Sequence, residues 1–437
     1  MSVQHGSRRP GGRYVAAPRG YTAAPSTTAV VRLPNSIAPL AITAYTATCA
    51  AGRGRDELAD ALQRRRTGLI ENDLAEHALP CFIGRVAGLE QLPLPDHLAR
   101  FDARNNRLAW LGLEQDGFRE RVRDLRERLG ADRIALILGT STSSIGETEA
   151  AYRQLDAAGH FPPEQQRAGV HHPHALGIFV QAALELDGPC LTVSTACSSS
   201  AKVFASADRL LRAGLADAAI VGGVDTLCGS VLYGFNSLGL VSAQPCRPFD
   251  VARNGLSLGE AAGFAILERA ADAPRNGADG ALHLVGYGET SDAHHMSAPH
   301  PDGLGAQLAI EAALQRAGLT HSDVDYINLH GTATPQNDAV EAALIARLFA
   351  PETRASSTKG WTGHTLGAAG ILEAVITLIA LERGFVPGTL NADTLDPVCG
   401  PQVATGNREQ PVRVALSNSF GFGGNNCCLA FARAVAA

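Results

Sequence analysis

The sequence lacks the features that mark membrane, nucleic-acid-binding and disulfide-linked proteins. Only 5% of its 437 residues are aromatic, and the longest apolar run, ILEAVITLIAL, includes Glu373 and is far shorter than a bilayer span. The 37 lysines and arginines are outnumbered by 43 aspartates and glutamates and form no basic stripe, which argues against nucleic-acid binding. The nine cysteines are odd in number and lack the pair spacing of a zinc site. We therefore expect a globular protein of the reducing cytoplasm, with no membrane span and no metal.

The first 37 residues lack a regular apolar pattern. They are rich in proline, glycine and arginine, and no apolar segment as long as an export signal follows the pair Arg8 and Arg9. Such a segment buries too little apolar surface to offset the entropy of ordering. We expect a disordered extension over residues 1–37 and a single folded domain over residues 38–437.

The rest of the chain alternates short β-branched runs with helical segments, which is typical of an α/β fold with buried strands. Two halves, about 38–280 and 281–437, have similar patterns. IALILGTST resembles YINLHGTAT, and the turn and helix of STACSSSAKVFASADRLLRAG resemble those of GHTLGAAGILEAVITLIALERG. The spacing between matching segments varies, which indicates two pseudo-repeated units with insertions. Residues at matching strand ends of the two halves are expected to meet.

Cys197 lies where a buried strand ends and a helix begins, within VSTACSSSAK. The free N–H groups and the dipole of a helix start favour a thiolate, and the small neighbours leave the sulfur accessible. A free cysteine is more often a small buried core residue. Among the nine cysteines, however, only Cys197 opens a helix, so it is the candidate nucleophile.

Matching positions of the second half carry further polar residues. His330 ends an apolar strand, and Thr332 and Thr334 follow with hydroxyls that can hold a polar ligand arm. Lys359 and His364 lie in SSTKGWTGHTLGAAG, and Lys359 is one of only two lysines in the chain, the other being Lys202. Because arginine is used almost everywhere else, the compact ammonium of Lys359 near His364 is a candidate functional feature. The Gly-rich turn NSFGFGG can aim backbone N–H groups at an oxyanion.

Two other patterns suggest different chemistry. GLSLG has the spacing of a hydrolase nucleophile elbow centred on Ser257, but polar RPFDVARN precedes it where a strand is required. HHPH, residues 171–174, has metal-binding residue types, but Pro173 breaks helical spacing and no carboxylate or cysteine lies nearby in sequence. We interpret HHPH as a solvated loop.

Several motifs in this order resemble the elongating β-ketoacyl-acyl-carrier-protein synthases, condensing enzymes of the thiolase fold. They are TACSSS, RPFD, SDAHHM, HGTATPQND, TKGWTGHTLGAAG and SNSFGFGG. The resemblance spans about Ala38 to Phe431 and implies a five-layered αβαβα core built from two pseudo-repeated halves. It implies a decarboxylative Claisen condensation with malonyl-acyl-carrier protein in fatty-acid, polyketide or aryl-polyene biosynthesis.

The resemblance also assigns roles to residues. Cys197 would be the acyl-accepting nucleophile, and His330 and His364 would drive decarboxylation. Lys359 would be an electrostatic partner paired with Glu373.

The remaining roles concern the ligand and the oxyanion. The backbone N–H groups of Cys197 and Phe422 would form the oxyanion hole, with Phe422 also the movable gate to the acyl pocket. Thr332 and Thr334 would contact the phosphopantetheine arm, which the carrier protein brings, so no resident cofactor is expected.

The partners implied are an acyl-carrier protein and a second subunit, either an identical copy or a chain-length-factor-like chain. An alternative is that this chain is itself the non-catalytic chain-length-factor-like partner, although such partners generally lack the nucleophile. The segment GTSTSSIGET replaces a glycine-rich loop and resembles the synthases of aryl-polyene and related pigment pathways. If the hydroxyls of residues 140–144 line the acyl cavity, unsaturated or aryl-ended acyl groups would be preferred.

Overall fold

The computed structural model describes residues 36–273 and 282–433. The predicted extension over residues 1–37 therefore lies outside the described residues, except for its last two. Ile37 is buried, and its N–H donates to the carbonyl of Arg316 at 2.9 Å. Ile37, which the prediction places in the extension, therefore packs with the described domain.

The strands and helices alternate as the sequence pattern predicts. The strands are β1 (Leu40–Cys49), β2 (Gly52–Arg53), β3 (Ile70–Glu71), β4 (Phe82–Gly84), β5 (Ile134–Gly139), β6 (Cys190–Val193), β7 (Ala218–Asp225), β8 (Leu258–Gly259), β9 (Ala261–Arg269), β10 (Leu282–Ser291), β11 (Tyr326–Asn328), β12 (Arg354–Ser356), β13 (Phe385–Val386), β14 (Arg408–Glu409), β15 (Val414–Gly421) and β16 (Asn425–Arg433). The α-helices are α1 (Gly54–Gln63), α2 (Arg104–Leu113), α3 (Phe118–Leu129), α4 (Ile145–Tyr152), α5 (Ala175–Ala183), α6 (Ser199–Arg212), α7 (Gly229–Ser237), α8 (Leu304–Ala317), α9 (Pro335–Leu348), α10 (Lys359–Thr362) and α11 (Ala369–Arg383).

The main sheet shows the internal repeat directly. Its strand order is β12-β11-β15-β16-β10-β1-β9-β7-β5-β6, with β2 paired to β1. Each half contributes five strands. If the five are numbered along the chain, both halves have the order 3-2-4-5-1 from the outer edge of the sheet to its centre. The pairings also match: β5–β6 and β5–β7 are parallel like β11–β12 and β11–β15, and the remaining pairs are antiparallel. The halves join where Leu40 of β1 faces Leu284 of β10.

Side-chain alternation along the strands produces five layers. In β5, Ala135 and Ile137 belong to an inner core with α6 and α11, whereas Ile134, Leu136 and Leu138 belong to an outer core with α2, α3 and α5. In the second half, Leu416 of β15 faces an outer core with α8 and α9. The layers therefore run helix, first half of the main sheet, helix pair, second half of the main sheet, helix, as in the predicted αβαβα arrangement.

The apolar run ILEAVITLIAL forms α11, in the inner helix pair. Residues 369–381 of this helix are buried all round, as expected for a helix enclosed between the two halves of the main sheet. Among the described residues, no helix is long and apolar enough to cross a membrane.

The repeat places the candidate site residues at matching points. Cys197 follows β6 and precedes α6, whereas Lys359 and His364 follow β12 and precede α11. His330 follows β11, and Phe422 follows β15. Because the carboxyl ends of parallel neighbouring strands lie at one edge of a sheet, these residues of the second half converge.

Candidate active site

Cys197 and His364 are in direct contact across the two halves. The Cys197 Sγ lies 2.9 Å from the His364 Nε2, and both side chains are buried. Ala196 adopts a positive φ of 52° immediately before the cysteine, and α6 starts at Ser199. The turn thereby projects the sulfur from the helix start toward the second half.

Gly421 allows the backbone of the Gly-rich turn to pack closely against the backbone of residues 195–197. A Cβ at Gly421 would lie 2.9 Å from the carbonyl oxygen of Thr195 and 3.2 Å from the nitrogen of Cys197. Its successor Phe422 has a backbone N–H that bonds to the Cys197 sulfur and lowers the pKa of that thiol. The Gly-rich turn therefore aims an amide at the nucleophile, next to the N–H of Cys197 itself.

The prediction that the helix start holds Cys197 as a thiolate is not supported. Burial raises the pKa of the Cys197 thiol to about 11, and this effect exceeds the opposing charge of Lys359 and the Phe422 N–H bond. Sequence shows the helix start but not the depth of the sulfur, and desolvation opposes the charged form. The resting nucleophile is a thiol that must lose its proton.

His364 is suited to accept that proton. Burial, followed by the charge of Lys359, lowers the pKa of His364 well below its ordinary value, so the ring is neutral near pH 7. A neutral imidazole nitrogen at 2.9 Å from a thiol can act as its general base.

His330 is held in one tautomer. Burial lowers the pKa of His330 well below its ordinary value, and the charges of Lys359 and His364 lower it further. The Lys359 Nζ lies 3.5 Å from the His330 Nδ1. Because an ammonium can only donate, Nδ1 accepts and the proton of the neutral ring is on Nε2. The rings of His330 and His364 are nearly perpendicular, with centroids 5.5 Å apart.

Lys359 and Glu373 form a buried ion pair behind the histidines. Lys359 also donates to the carbonyl oxygen of His330. Burial raises the pKa of the Glu373 carboxyl to about 7, and Lys359 counters that rise. Neither side chain lines the cavity described below, so both support the histidines from behind.

The cysteine and both histidines open into one cavity of about 410 Å³. Thr332 and Thr334 line it, with their hydroxyls 2.9 Å apart. Its apolar wall is formed by Phe235, Leu238, Leu240, Leu256, Phe420 and Phe422. Of the eight site residues expected from sequence, six therefore line one cavity. Lys359 lies against His330, and Glu373 is paired with Lys359.

Comparison with known proteins identifies the family of the chain. The N-terminal domain of the beta-ketoacyl synthase family matches residues 38–273, and the C-terminal domain of the same family matches residues 282–393. The chain belongs to this family. Its members are condensing enzymes of the acyltransferase class, and this ketosynthase is accordingly an enzyme of that class.

Three curated relatives give the range of similarity. This ketosynthase is 40% identical over 260 residues to a mitochondrial 3-oxoacyl-[acyl-carrier-protein] synthase of Arabidopsis thaliana, covering 56% of each chain. It is 38% identical to nodulation protein E of Rhizobium meliloti, covering 68% of this chain and 75% of the relative. It is 32% identical to 3-oxoacyl-[acyl-carrier-protein] synthase 2 of Staphylococcus aureus, covering 78% of this chain and 86% of the relative.

Two solved structures share the fold at this level. The ketosynthase ApeO of Xenorhabdus doucetiae, solved with its chain length factor ApeC, superposes with a TM-score of 0.80 at 36% identity, covering 91% of this chain and 98% of the other. The ishigamide ketosynthase/chain length factor superposes with a TM-score of 0.81 at 27% identity, covering 90% and 98%. The predicted thiolase fold and the predicted family are thereby confirmed.

Two carboxylates that support the His330 loop were not anticipated from sequence. The Glu341 carboxylate accepts from the N–H groups of His330 and Gly331 at 2.9 and 2.8 Å, and the Asp338 carboxylate accepts from the N–H of Ala333 at 3.1 Å. Burial raises the pKa of Asp338 to about 6 and that of Glu341 to about 7. Their spacing of three residues at the start of α9, directly after HGTATP, is the signal that could have identified them.

Ser257 has a structural role in this ketosynthase rather than that of a hydrolase nucleophile. Its hydroxyl accepts from the N–H of Cys246 at 3.0 Å, and its carbonyl accepts from the N–H of His364 at 2.7 Å. Gly259, two residues further along the chain in β8, donates its N–H to the carbonyl of His364 at 3.0 Å. The GLSLG segment thus holds the backbone of His364 on both sides.

Two of the three histidines of HHPH are hydrogen-bonded to neighbouring protein groups. His171 contacts the Thr148 hydroxyl and the Gln165 carbonyl, each at 2.9 Å, and His174 contacts the Thr192 hydroxyl at 2.6 Å. Within residues 36–273 and 282–433, no group of three or more His, Cys, Asp or Glu side chains is arranged to hold a metal.

The prediction that the hydroxyls of residues 140–144 line the acyl cavity is wrong for this structure. The Thr140 and Thr142 hydroxyls donate to the Asp225 carboxylate at 2.7 and 2.8 Å, and none of the five residues borders the cavity. Asp225 also accepts from the Ser141 N–H at 2.8 Å. A buried carboxylate, distant in sequence, therefore holds the two threonine hydroxyls of this segment.

Proposed function

We propose that the chain catalyses the decarboxylative Claisen condensation of an acyl group, carried on Cys197, with malonyl-acyl-carrier protein to give 3-oxoacyl-acyl-carrier protein. The observation that carries the proposal is the 2.9 Å contact between Cys197 Sγ and His364 Nε2 in a cavity that His330 also lines. A nucleophile, a base and a second hydrogen-bond donor around one cavity are what acyl transfer followed by enolate formation requires.

In the first half-reaction, His364 takes the proton of the Cys197 thiol, and the thiolate attacks the carbonyl carbon of the acyl-carrier thioester. The N–H groups of Cys197 and Phe422 stabilise the resulting oxyanion. The carbon–sulfur bond to the carrier then breaks, and His364 returns the proton to the departing carrier thiolate. Removal of one such oxyanion donor typically slows acyl transfer by about 100- to 1,000-fold.

In the second half-reaction, the bond between the malonyl Cα and its carboxylate breaks, and CO2 leaves. The electron pair moves onto the thioester oxygen, which accepts from the Nε2–H groups of His330 and His364. For this step His364 must carry its proton on Nε2 rather than on Nδ1, and no hydrogen bond to Nδ1 in the described structure fixes either tautomer. The enolate attacks the acyl carbon on Cys197, a carbon–carbon bond forms and the carbon–sulfur bond to Cys197 breaks. The departing thiolate takes up one proton from solvent, which restores the resting thiol.

Lys359 and the two threonines complete this assignment. Lys359 fixes the His330 tautomer and keeps a positive charge, balanced by Glu373, near the negative enolate. Thr332 and Thr334 line the cavity and offer hydroxyls to the amides of the phosphopantetheine arm. That arm belongs to the carrier protein, and the proposal assigns the chain no cofactor of its own.

The proposed partners are the acyl-carrier protein and a second subunit. Strand β6 is an edge of the main sheet, and Leu191 on it is 44% exposed. An apolar edge strand of this kind is suited to pair with another chain, and we propose that β6 pairs with a second copy or with a chain-length-factor-like chain. Native mass spectrometry of the chain alone and after co-expression with such a partner distinguishes the two. We place the enzyme in the cytoplasm, where its nine unpaired cysteines would stay reduced.

The alternative role as a non-catalytic partner is tested by the same chemistry. Cys197→Ala should abolish condensation and leave no acyl group on the protein, whereas Cys49→Ala, which changes a buried cysteine away from the cavity, should retain both. A chain whose condensation persists in Cys197→Ala is not a synthase of this type. A panel of acyl carriers with malonyl carrier, and products measured by mass, would assign the pathway among fatty-acid, polyketide and aryl-polyene biosynthesis.

A further inference from the structure

Phe235, on helix α7, contacts two residues of the site at once. Its ring is stacked on Phe422, with centroids 5.5 Å apart and planes at 23°. It also meets the ring of His364 edge-on, at 6.4 Å and 82°. It also packs against an apolar cluster that includes Val231, Leu232 and Leu366. The steps proposed above give Phe235 no role.

The His364 ring has few polar contacts that could fix its orientation. Its Nδ1 is buried and has no hydrogen-bond partner in the described structure, and its Nε2 faces only the Cys197 sulfur. The torsion between Cβ and the ring is broad for histidine, so a ring held by one polar contact can tilt. The aromatic contacts that restrict the tilt are the edges of His330 and Phe235.

The Phe422 ring is carried by backbone that favours glycine. Gly423 and Gly424 have φ values of 77° and 74°, and glycine adopts such values at little cost, so the backbone beside Phe422 is permissive. Stacking on Phe235 fixes the Phe422 ring over the cavity. Phe235 therefore contacts both the Phe422 ring and the His364 ring and restricts the orientation of each.

We infer that Phe235 is a positioning residue, which holds the His364 imidazole for decarboxylation by packing between it and Phe422. The inference rests on the proposed condensation. It predicts unequal effects on the two half-reactions. Proton transfer from the adjacent Cys197 tolerates some tilt of His364, but hydrogen bonding to the enolate oxygen requires the correct ring plane, and misplacement by about 1 Å can cost roughly 100-fold.

The test compares ring-deleting and ring-retaining variants. In Phe235→Leu, we expect acyl transfer to Cys197 to stay within about threefold of the unmodified enzyme and CO2 release from malonyl carrier to fall at least about tenfold. Phe235→Tyr, which keeps the ring, should restore most of the CO2 release. Phe349→Leu is the matched control, because Phe349 also lies edge-on to a histidine, His321 at 5.1 Å, but in the outer helix layer.

Several results would overturn the inference. Equal loss of both half-reactions in Phe235→Leu would indicate a general structural role, and so would loss of CO2 release in the control. Normal CO2 release in Phe235→Leu, or failure of Phe235→Tyr to restore it, would show that the ring does not position His364. If Phe235→Leu does not fold by circular dichroism, Phe235→Met replaces it. Absence of condensation in the unmodified enzyme with every acyl carrier tested would instead refute the proposed function.

Discussion

The Cys197 sulfur contacts the His364 imidazole at 2.9 Å, although its thiol has a pKa raised to about 11 and the histidine has a pKa well below its ordinary value. Both shifts have burial as their largest cause, because desolvation disfavours either charged form. The site therefore rests as a neutral pair. Reaction requires the proton to move between two groups that are already in hydrogen-bond contact.

A neutral resting pair predicts the pH dependence of alkylation. The thiolate fraction of a thiol rises about tenfold per pH unit below its pKa, and only the thiolate reacts. We expect alkylation of Cys197 by iodoacetamide to accelerate roughly 100-fold between pH 6.5 and 8.5, with no plateau. The rate is measured by mass of the Cys197 peptide, with Cys197→Ala as the blank. A plateau below pH 8 would mean that the pair rests as thiolate and imidazolium.

His364→Ala should separate the half-reactions. The variant loses both the proposed base for the Cys197 thiol and a donor to the enolate oxygen, but it keeps His330 and both oxyanion N–H groups. We expect it to accept an acyl group on Cys197, more slowly, and to release CO2 from malonyl carrier at least about 100-fold more slowly. Acyl-Cys197 is followed by intact mass and CO2 by radiolabel. Equal loss of both half-reactions would contradict this separation and would mean that acyl transfer depends on His364 as strongly as CO2 release does.

The buried Lys359–Glu373 ion pair predicts that Lys359→Met lowers the stability of the protein and that adding Glu373→Leu restores it. Lys359→Met leaves the Glu373 carboxyl buried without its partner, which typically costs about 3–5 kcal/mol. Lys359→Met combined with Glu373→Leu should recover most of the melting temperature but not the activity, because His330 still lacks its donor at Nδ1. Thermal unfolding and condensation assays measure the two outcomes.

The other lysine supplies the control for that prediction. Lys202 donates to the amide oxygen of Asn425 at 3.1 Å, so Lys202→Met strands no buried charge and should cost less. An equal loss in both lysine variants, or no recovery of stability in the double variant, would contradict the ion-pair argument.

Much of the fold and the identity of the site residues could be predicted because their signals are local. Windows of about ten residues are enough to predict the β-branched strands, the small-residue turn before α6 and the histidine at the end of β11. The protonation state of Cys197 was not readable, since it depends on the layers that bury the sulfur. Phe235 lies in GSVLYGFNSLG, where nothing distinguishes a cavity-lining phenylalanine from a core one. Its significance arises only from contacts with Phe422 and His364.

The first 35 residues provide a test of the composition argument. A segment rich in proline, glycine and arginine without apolar periodicity buries little surface. Deleting residues 1–35, while keeping Ile37, should leave the melting temperature and the condensation rate nearly unchanged. A large fall in the melting temperature or in the subunit dissociation temperature would show that the segment packs on the domain.

The last prediction concerns Thr142, whose hydroxyl was expected in the acyl cavity and instead donates to Asp225. Thr142→Val removes that donor from a buried carboxylate, and we expect a loss of about 1–3 kcal/mol in unfolding free energy. The ratio of kcat/KM for polyunsaturated and saturated acyl carriers of equal length should not change, because the hydroxyl does not face the substrate. Thr48→Val is the matched control, since the Thr48 hydroxyl is buried without a partner and its removal should cost nothing. A changed ratio in Thr142→Val, with Thr48→Val unaffected, would return this hydroxyl to the acyl cavity and make the loop a determinant of chain type.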